Sequence, residues 1–74
     1  MSRSLLLGLL LFATLPADGS SAAITDLGQL LGMSNSTAHR YATTLVAAGL
    51  VERDPQTRRY RLAHDVQAPK AGGK

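Results

Sequence analysis

Five side chains, Asn35, Ser36, His39, Arg40 and Thr43, fall on one stripe when residues 34–49 are wound as a helix. All five form hydrogen bonds and none is a carboxylate. Amide, hydroxyl, imidazole and guanidinium groups together offer donors and acceptors without repelling an anion. That mixture suits the major groove of double-stranded DNA, whose walls are phosphate and whose floor is a pattern of base donors and acceptors. Thr37, on the same helix, is grouped with them. Arg40 can grip either a guanine edge or a phosphate. The competing reading is the solvated side of an ordinary amphipathic helix, because polar outer faces are the rule. An enzyme is not indicated, since no nucleophile–base pair, carboxylate pair or phosphate-cradling loop is visible.

The stripe needs a helix to hold it, and both ends of one are written in the chain. Ser34 can accept a bond from a backbone N–H of the first turn. Gly49 can take the left-handed conformation that closes a helix. Between them Ala38, Tyr41, Ala42, Leu45 and Ala48 recur at helical spacing and form the apolar face. Upstream, Thr25 is placed to cap a shorter helix, Asp26–Leu31, with Asp26 near the positive end of its dipole. Leu27, Leu30 and Leu31 supply the apolar side of that helix, and Gly32, Met33 and Ser34 turn the chain into the longer one. A short helix, a glycine turn and a second helix with a polar face make the helix-turn-helix pattern, in which the second helix enters the major groove. A plain helical hairpin shares the spacing.

Beyond Gly49 the pattern becomes strand-like. Leu50-Val51-Glu52-Arg53 and Arg59-Tyr60-Arg61-Leu62 alternate apolar and polar around the turn formers Asp54-Pro55-Gln56-Thr57-Arg58. The pattern predicts a β-hairpin with Val51, Tyr60 and Leu62 toward the core, Arg59 and Arg61 outward, and Arg58 near the tip. Placed after a recognition helix, such a hairpin is a wing, lying along the phosphate backbone or reaching into the minor groove. Taken alone, its charges also serve to discourage edge-to-edge aggregation.

Composition agrees with this scale of structure. Seventy-four residues allow one small domain, and the absence of cysteine removes disulfides and thiolate metal sites. His39 and His64 lie far apart and have no obvious ligand partners, so neither a metal nor a cofactor is expected. The net charge is +3, and from Arg40 to Arg61 five arginines (Arg40, Arg53, Arg58, Arg59, Arg61) face two acids, Glu52 and Asp54. Clustering of that kind favours a polyanion.

The N-terminal run Leu5-Leu6-Leu7-Gly8-Leu9-Leu10-Leu11-Phe12-Ala13-Thr14-Leu15 has two readings. With Arg3 before it and Ser20-Ser21-Ala22-Ala23 after it, the run has the layout of a secretory signal peptide. It is too short to span a bilayer, since eleven helical residues reach about 16 Å against about 30 Å of hydrocarbon. Alternatively it is the first helix of the domain. Its leucines occupy the whole circumference, so one contact face cannot bury them. A second copy of the chain would then supply the missing cover, with Leu5, Leu6, Leu9, Leu10 and Phe12 at a symmetric contact.

Leu27-Gly28-Gln29-Leu30-Leu31-Gly32-Met33-Ser34-Asn35-Ser36-Thr37-Ala38-His39-Arg40-Tyr41, with Thr44-Leu45, Gly49-Leu50-Val51 and Tyr60-Arg61-Leu62 after it, resembles the winged helix-turn-helix domain of the IclR family. The Ser-Thr-Ala-His-Arg core and the Arg-Tyr-Arg-Leu strand are its most specific parts, and the resemblance runs from about Ser4 to Ala63. It implies a mainly α fold with a small β-hairpin wing: three helices plus two or three short strands over residues 1–63. A flexible tail over 64–74 would come after them. It also implies a bacterial, cytoplasmic transcription regulator that binds operator DNA as a homodimer through paired first helices. Asn35, Ser36, Thr37, His39, Arg40, Thr43, Arg58, Arg59 and Arg61 would then be the DNA-contacting set. Cleavage after Ala22 or Ala23 would remove a helix that such a core requires. The alternative function is a protein-interaction module docking through the leucine-rich helix. Three departures stand out. The family usually carries a C-terminal effector-binding domain, and this chain stops where that would begin, as a free-standing small regulator or a piece of a longer one, so no small-molecule effector is assigned. Gly28 replaces a usual alanine, a propensity loss of up to about 1 kcal/mol. Arg58 stands near a wing-turn position where glycine is common, which implies either a longer turn or a residue aimed at DNA.

Overall fold

A computed structural model describes residues 2–67. Three helices come first, α1 (Arg3–Thr14), α2 (Ile24–Leu30) and α3 (Asn35–Ala47), then strands β1 (Val51–Arg53) and β2 (Tyr60–Leu62) and a 3-10 turn, His64–Val66. Helix α1 starts where Ser2 Oγ accepts the Leu5 N–H at 3.0 Å, and it ends ahead of Pro16, which biases Leu15 to extended backbone (ψ 142°). Leu11 is wholly buried and Leu15 nearly so, both in the same cluster as Ile24, Leu27, Ala38, Ala42, Val51, Tyr60 and Leu62. Leu11 and Leu15 of the leucine run therefore belong to the domain's core, and the run forms a first helix of the domain. Among the described residues no helix is long and apolar enough to cross a membrane.

Helix α2 differs from its sequence outline in two ways. It begins at Ile24 after an uncapped Ala23, so Thr25 lies inside the first turn and does not cap it. The cause is long-range. Ala22 forms an antiparallel bridge with Tyr60, exchanging backbone bonds of 2.8 and 2.9 Å, which holds the chain extended up to Ala23 and turns it helical at once. Leu30, expected on the apolar side, is instead 76% exposed. With the helix starting at Ile24, the inward set is Ile24, Leu27, Gly28 and Leu31, the i, i+3, i+4, i+7 series, and Leu30 falls outside it.

Helix α3 begins and ends as expected. Ser34 Oγ accepts the Thr37 N–H at 3.2 Å. Gly49, at φ +81°, closes the other end: its N–H donates to Val46 O (3.0 Å) and that of Leu50 to Leu45 O (3.1 Å). Gly32 ends α2 by the same pair of bonds, its own N–H donating to Gln29 O (3.2 Å) and that of Met33 to Gly28 O (2.8 Å). In both places a left-handed glycine satisfies carbonyls that a helix end leaves orphaned. Ala38 and Ala42 are buried and Tyr41 and Leu45 half-buried, whereas Ala48, at the C-cap, is exposed and lies outside the packed face.

The hairpin pairs Val51 with Leu62, Glu52 with Arg61 and Arg53 with Tyr60. Val51, Tyr60 and Leu62 are buried as expected. A third strand is reduced to the single Ala22–Tyr60 rung. The ordered chain runs past the expected boundary at residue 63, because Val66 packs against the core and Gln67 Nε2 donates to Leu62 O at 3.2 Å. The rest of the expected tail, 68–74, lies outside the described residues.

Gly28 has a packing role that propensity alone does not reveal. A methyl group on it would sit 2.9 Å from Ala38 Cβ, closer than two carbons approach, so its smallness lets α2 and α3 come together at close range. At Gly8 of α1 the same methyl would meet the Tyr41 ring at 3.5 Å, an ordinary contact. Both substitutions gain about 1 kcal/mol of helix propensity. Thermal unfolding at one fixed protein concentration should therefore show Gly8→Ala raised by about 4–8 °C. Gly28→Ala should be lowered below wild type, and a Gly28→Ala variant as stable as Gly8→Ala would mean that the helices are not in tight contact there.

Candidate nucleic-acid interface

The polar stripe of α3 faces solvent. Asn35, Ser36, His39, Arg40 and Thr43 are all exposed. Among the described residues the side chains of Asn35, His39, Arg40 and Thr43 take part in no hydrogen bond or ion pair. Nothing acidic lies on the helix. Thr37 stands apart from this group: it is half-buried, and its Oγ1 accepts a bond of 2.9 Å from Ser34 Oγ, so it belongs to the cap. Ser36 Oγ lies 3.3 Å from Ser34 Oγ at the rim of the same cluster. The outward stripe is thus held by the cap and by the buried Ala38–Ala42 edge behind it.

The wing tip is built by Asp54. Its Oδ1 accepts the N–H groups of Gln56 (2.8 Å) and Thr57 (3.3 Å), and those two backbone bonds, the first above all, hold its carboxyl below the ordinary carboxylate range. The loop is closed by Arg58 N–H to Asp54 O (2.8 Å) and Asp54 N–H to Arg59 O (2.9 Å). Because the folded-state affinity for a proton is depressed, this turn contributes most above the unfolded pKa and loosens as pH falls through the lower, folded value. Arg58 sits at φ +63°, the one left-handed residue besides glycines in the described chain.

The wing arginines are in three different situations. Arg58 is exposed, and its guanidinium has no partner among the described residues. Arg59 leaves the core as expected but reaches back to the loop ahead of α2, where Nε donates to Ser21 Oγ (3.0 Å) and Nη2 to Ser21 O (3.2 Å). Arg61 is only partly exposed and its Nε lies 3.3 Å from Glu52 Oε1, its cross-strand neighbour. Glu52 Oε2 also accepts the His64 N–H at 3.4 Å. Arg53, at the end of β1, adds a further exposed cation to the hairpin.

On α1 the leucine side chains divide. Leu5 (56%), Leu6, Leu9 and Leu10 (41%) are exposed, while Phe12, grouped with them by sequence, is half-buried against the chain's own core. Leu5 and Leu9 also line a groove of about 370 Å³ whose other wall is Tyr41, Leu45 and Leu50. Leu5, Leu6, Leu9 and Leu10 thus form an exposed apolar cluster on one short helix.

Residues 4–55 match the IclR helix-turn-helix domain. The chain is 41% identical over 39 residues to the HTH-type transcriptional regulator XynR of Escherichia coli K12, an alignment covering 53% of this chain and 16% of that protein. Its fold is similar to the crystal structure of Pseudomonas aeruginosa HmgR, with a TM-score of 0.74 and 28% identity over 86% of this chain and 27% of the other. It is also similar to an IclR transcriptional regulator from Alicyclobacillus acidocaldarius, with a TM-score of 0.70 and 28% identity over 85% and 26%. The chain thus spans about a sixth to a quarter of the length of these relatives. Three helices, a glycine-closed turn, a two-stranded wing and an exposed acid-free third helix accompany that match, and the chain belongs to the IclR helix-turn-helix family of DNA-binding regulatory domains.

Proposed function

We propose that two copies of this domain bind one operator, each laying α3 in the major groove and its wing on the adjoining backbone or minor groove. The observation that carries the reading is the stripe Asn35, Ser36, His39, Arg40 and Thr43: exposed, free of acid, and backed by a helix whose other side is packed. Unpaired donors in such a position have DNA as their natural partner in a domain of this family. Thr37 serves the cap and only indirectly the groove. The exposed leucines of α1 join the two copies, which sets their recognition helices about 34 Å apart, one DNA turn, or a multiple of it. The site of action is the bacterial cytoplasm, at the nucleoid.

A second reading keeps the fold but changes the partner. The exposed Leu6 and Leu10 and the groove beside Leu5 and Leu9 could instead receive another protein. Two measurements separate the readings. On a duplex selected by the wild-type chain from a random pool, a dimer touching six to eight phosphates should show log affinity falling against log salt with a slope of about −5 to −7. Arg40→Ala should weaken that binding by about 1–3 kcal/mol if Arg40 reads a base, or reduce the slope by about 0.9 per chain if it holds a phosphate. The second measurement is self-association, by sedimentation. Leu6→Glu with Leu10→Glu should give monomers with weakened DNA affinity, whereas unchanged DNA binding by a monomeric variant would favour the other partner for α1.

A further inference from the structure

We propose that Arg58 is the phosphate anchor of the wing, and that Arg59 and Arg61 are positioning residues that hold the wing in place to present it. The proposal rests on the reading that the wing faces DNA, and it goes further by dividing the work among three arginines that sequence treats alike.

Arg58 occupies the left-handed region at φ +63°, where a side chain with a Cβ is strained and glycine is not. The turn itself asks only for that conformation: the Arg58 N–H bond to Asp54 O and the Asp54 N–H bond to Arg59 O are backbone bonds that glycine makes equally well. Nothing inside the domain uses the side chain, since Arg58 is exposed and has no hydrogen-bond or ion-pair partner among the described residues. Strain kept at an exposed tip, for a cation that serves no internal contact, points to a contact outside the chain. A guanidinium on a loop tip offers a planar fork of donors that fits the paired oxygens of a phosphodiester.

The other two arginines are already engaged. Arg59 spends Nε and Nη2 on Ser21, next to the Ala22–Tyr60 rung, and so ties the hairpin to the start of α2. Arg61 is paired with Glu52 across the two strands, which offsets its charge locally and stiffens the hairpin. Each keeps further N–H groups, but in an orientation fixed by its internal partner, whereas Arg58 is free to align its whole fork with a phosphodiester.

The test uses the chain and a duplex that it has selected from a random pool. Salt dependence of binding and the thermal midpoint are measured for each variant. Arg58→Gly should lower the salt slope by about 0.9 per chain while the midpoint rises by about 4–8 °C, because one phosphate contact is lost and the strain is relieved. Arg58→Lys should keep the slope. Arg59→Gln should lower the midpoint, and Ser21→Ala should lower it less because the residue 21 carbonyl still accepts from Nη2; both, and Arg61→Gln likewise, should change the slope by less than about half a unit. An unchanged slope in Arg58→Gly, with Arg40→Ala still impaired, overturns the inference and leaves DNA binding standing. A full-unit fall in Arg59→Gln or Arg61→Gln without loss of stability also overturns it. A wild-type chain with no salt-dependent DNA binding removes the inference and the underlying reading together.

Discussion

The contact between Gly28 and Ala38 sets the terms for the rest of the domain. Helices meet at a distance fixed by the side chains between them, and here those side chains are a hydrogen and a methyl. With α2 and α3 that close, Ala38 and Ala42 are sealed at the centre, and the larger Tyr41 and Leu45 of α3 pack half-buried at the edge. The volume of the core comes from elsewhere: Leu11 and Leu15 from α1 and its end, Ile24 and Leu27 from α2, Val51, Tyr60 and Leu62 from the hairpin. The recognition helix therefore adds to the interior only its two alanines and the half-buried Tyr41 and Leu45, and the polar stripe opposite them stays free to meet water or a ligand.

How much of this could be read from sequence depends on the range of the forces involved. The limits of α3 were legible because they are local: Ser34 caps through a residue three positions on, and Gly49 closes the helix within its own last turn. The buried strand residues were legible because alternation has a period of two and a hairpin has a single core side. The start of α2 was not, because Ala23 stops the extended chain only through the Ala22 rung to the distant Tyr60, and local capping rules favour Thr25 instead. The outward turn of Leu30 is a consequence of that shift in the helix start. The role of Gly28 was equally hidden, since propensity registers what a glycine loses and not what its neighbour would strike.

The charges repeat the lesson. A count of arginines between Arg40 and Arg61 identifies a basic region. It does not distinguish Arg61, paired with Glu52, or Arg59, occupied by Ser21, from the unengaged Arg40. Partners separated by 38 residues, as Ser21 and Arg59 are, leave no trace in spacing. A loop position where glycine is common but arginine stands was the one local sign that something unusual happens at the tip, and the backbone there turns out to be left-handed.

Both helices of the turn motif finish on backbone bonds made at glycines, and the core side of α3 is two buried alanines with Tyr41 and Leu45 half-buried beside them. Asn35, His39, Arg40 and Thr43 therefore carry almost none of the burden of folding. Side chains relieved of that burden are free to drift, and a scaffold of this kind can acquire a different target by exchanging a few surface letters while its melting behaviour stays much the same. Diversification among such regulators then proceeds by relabelling one helical face, without rebuilding the body that carries it.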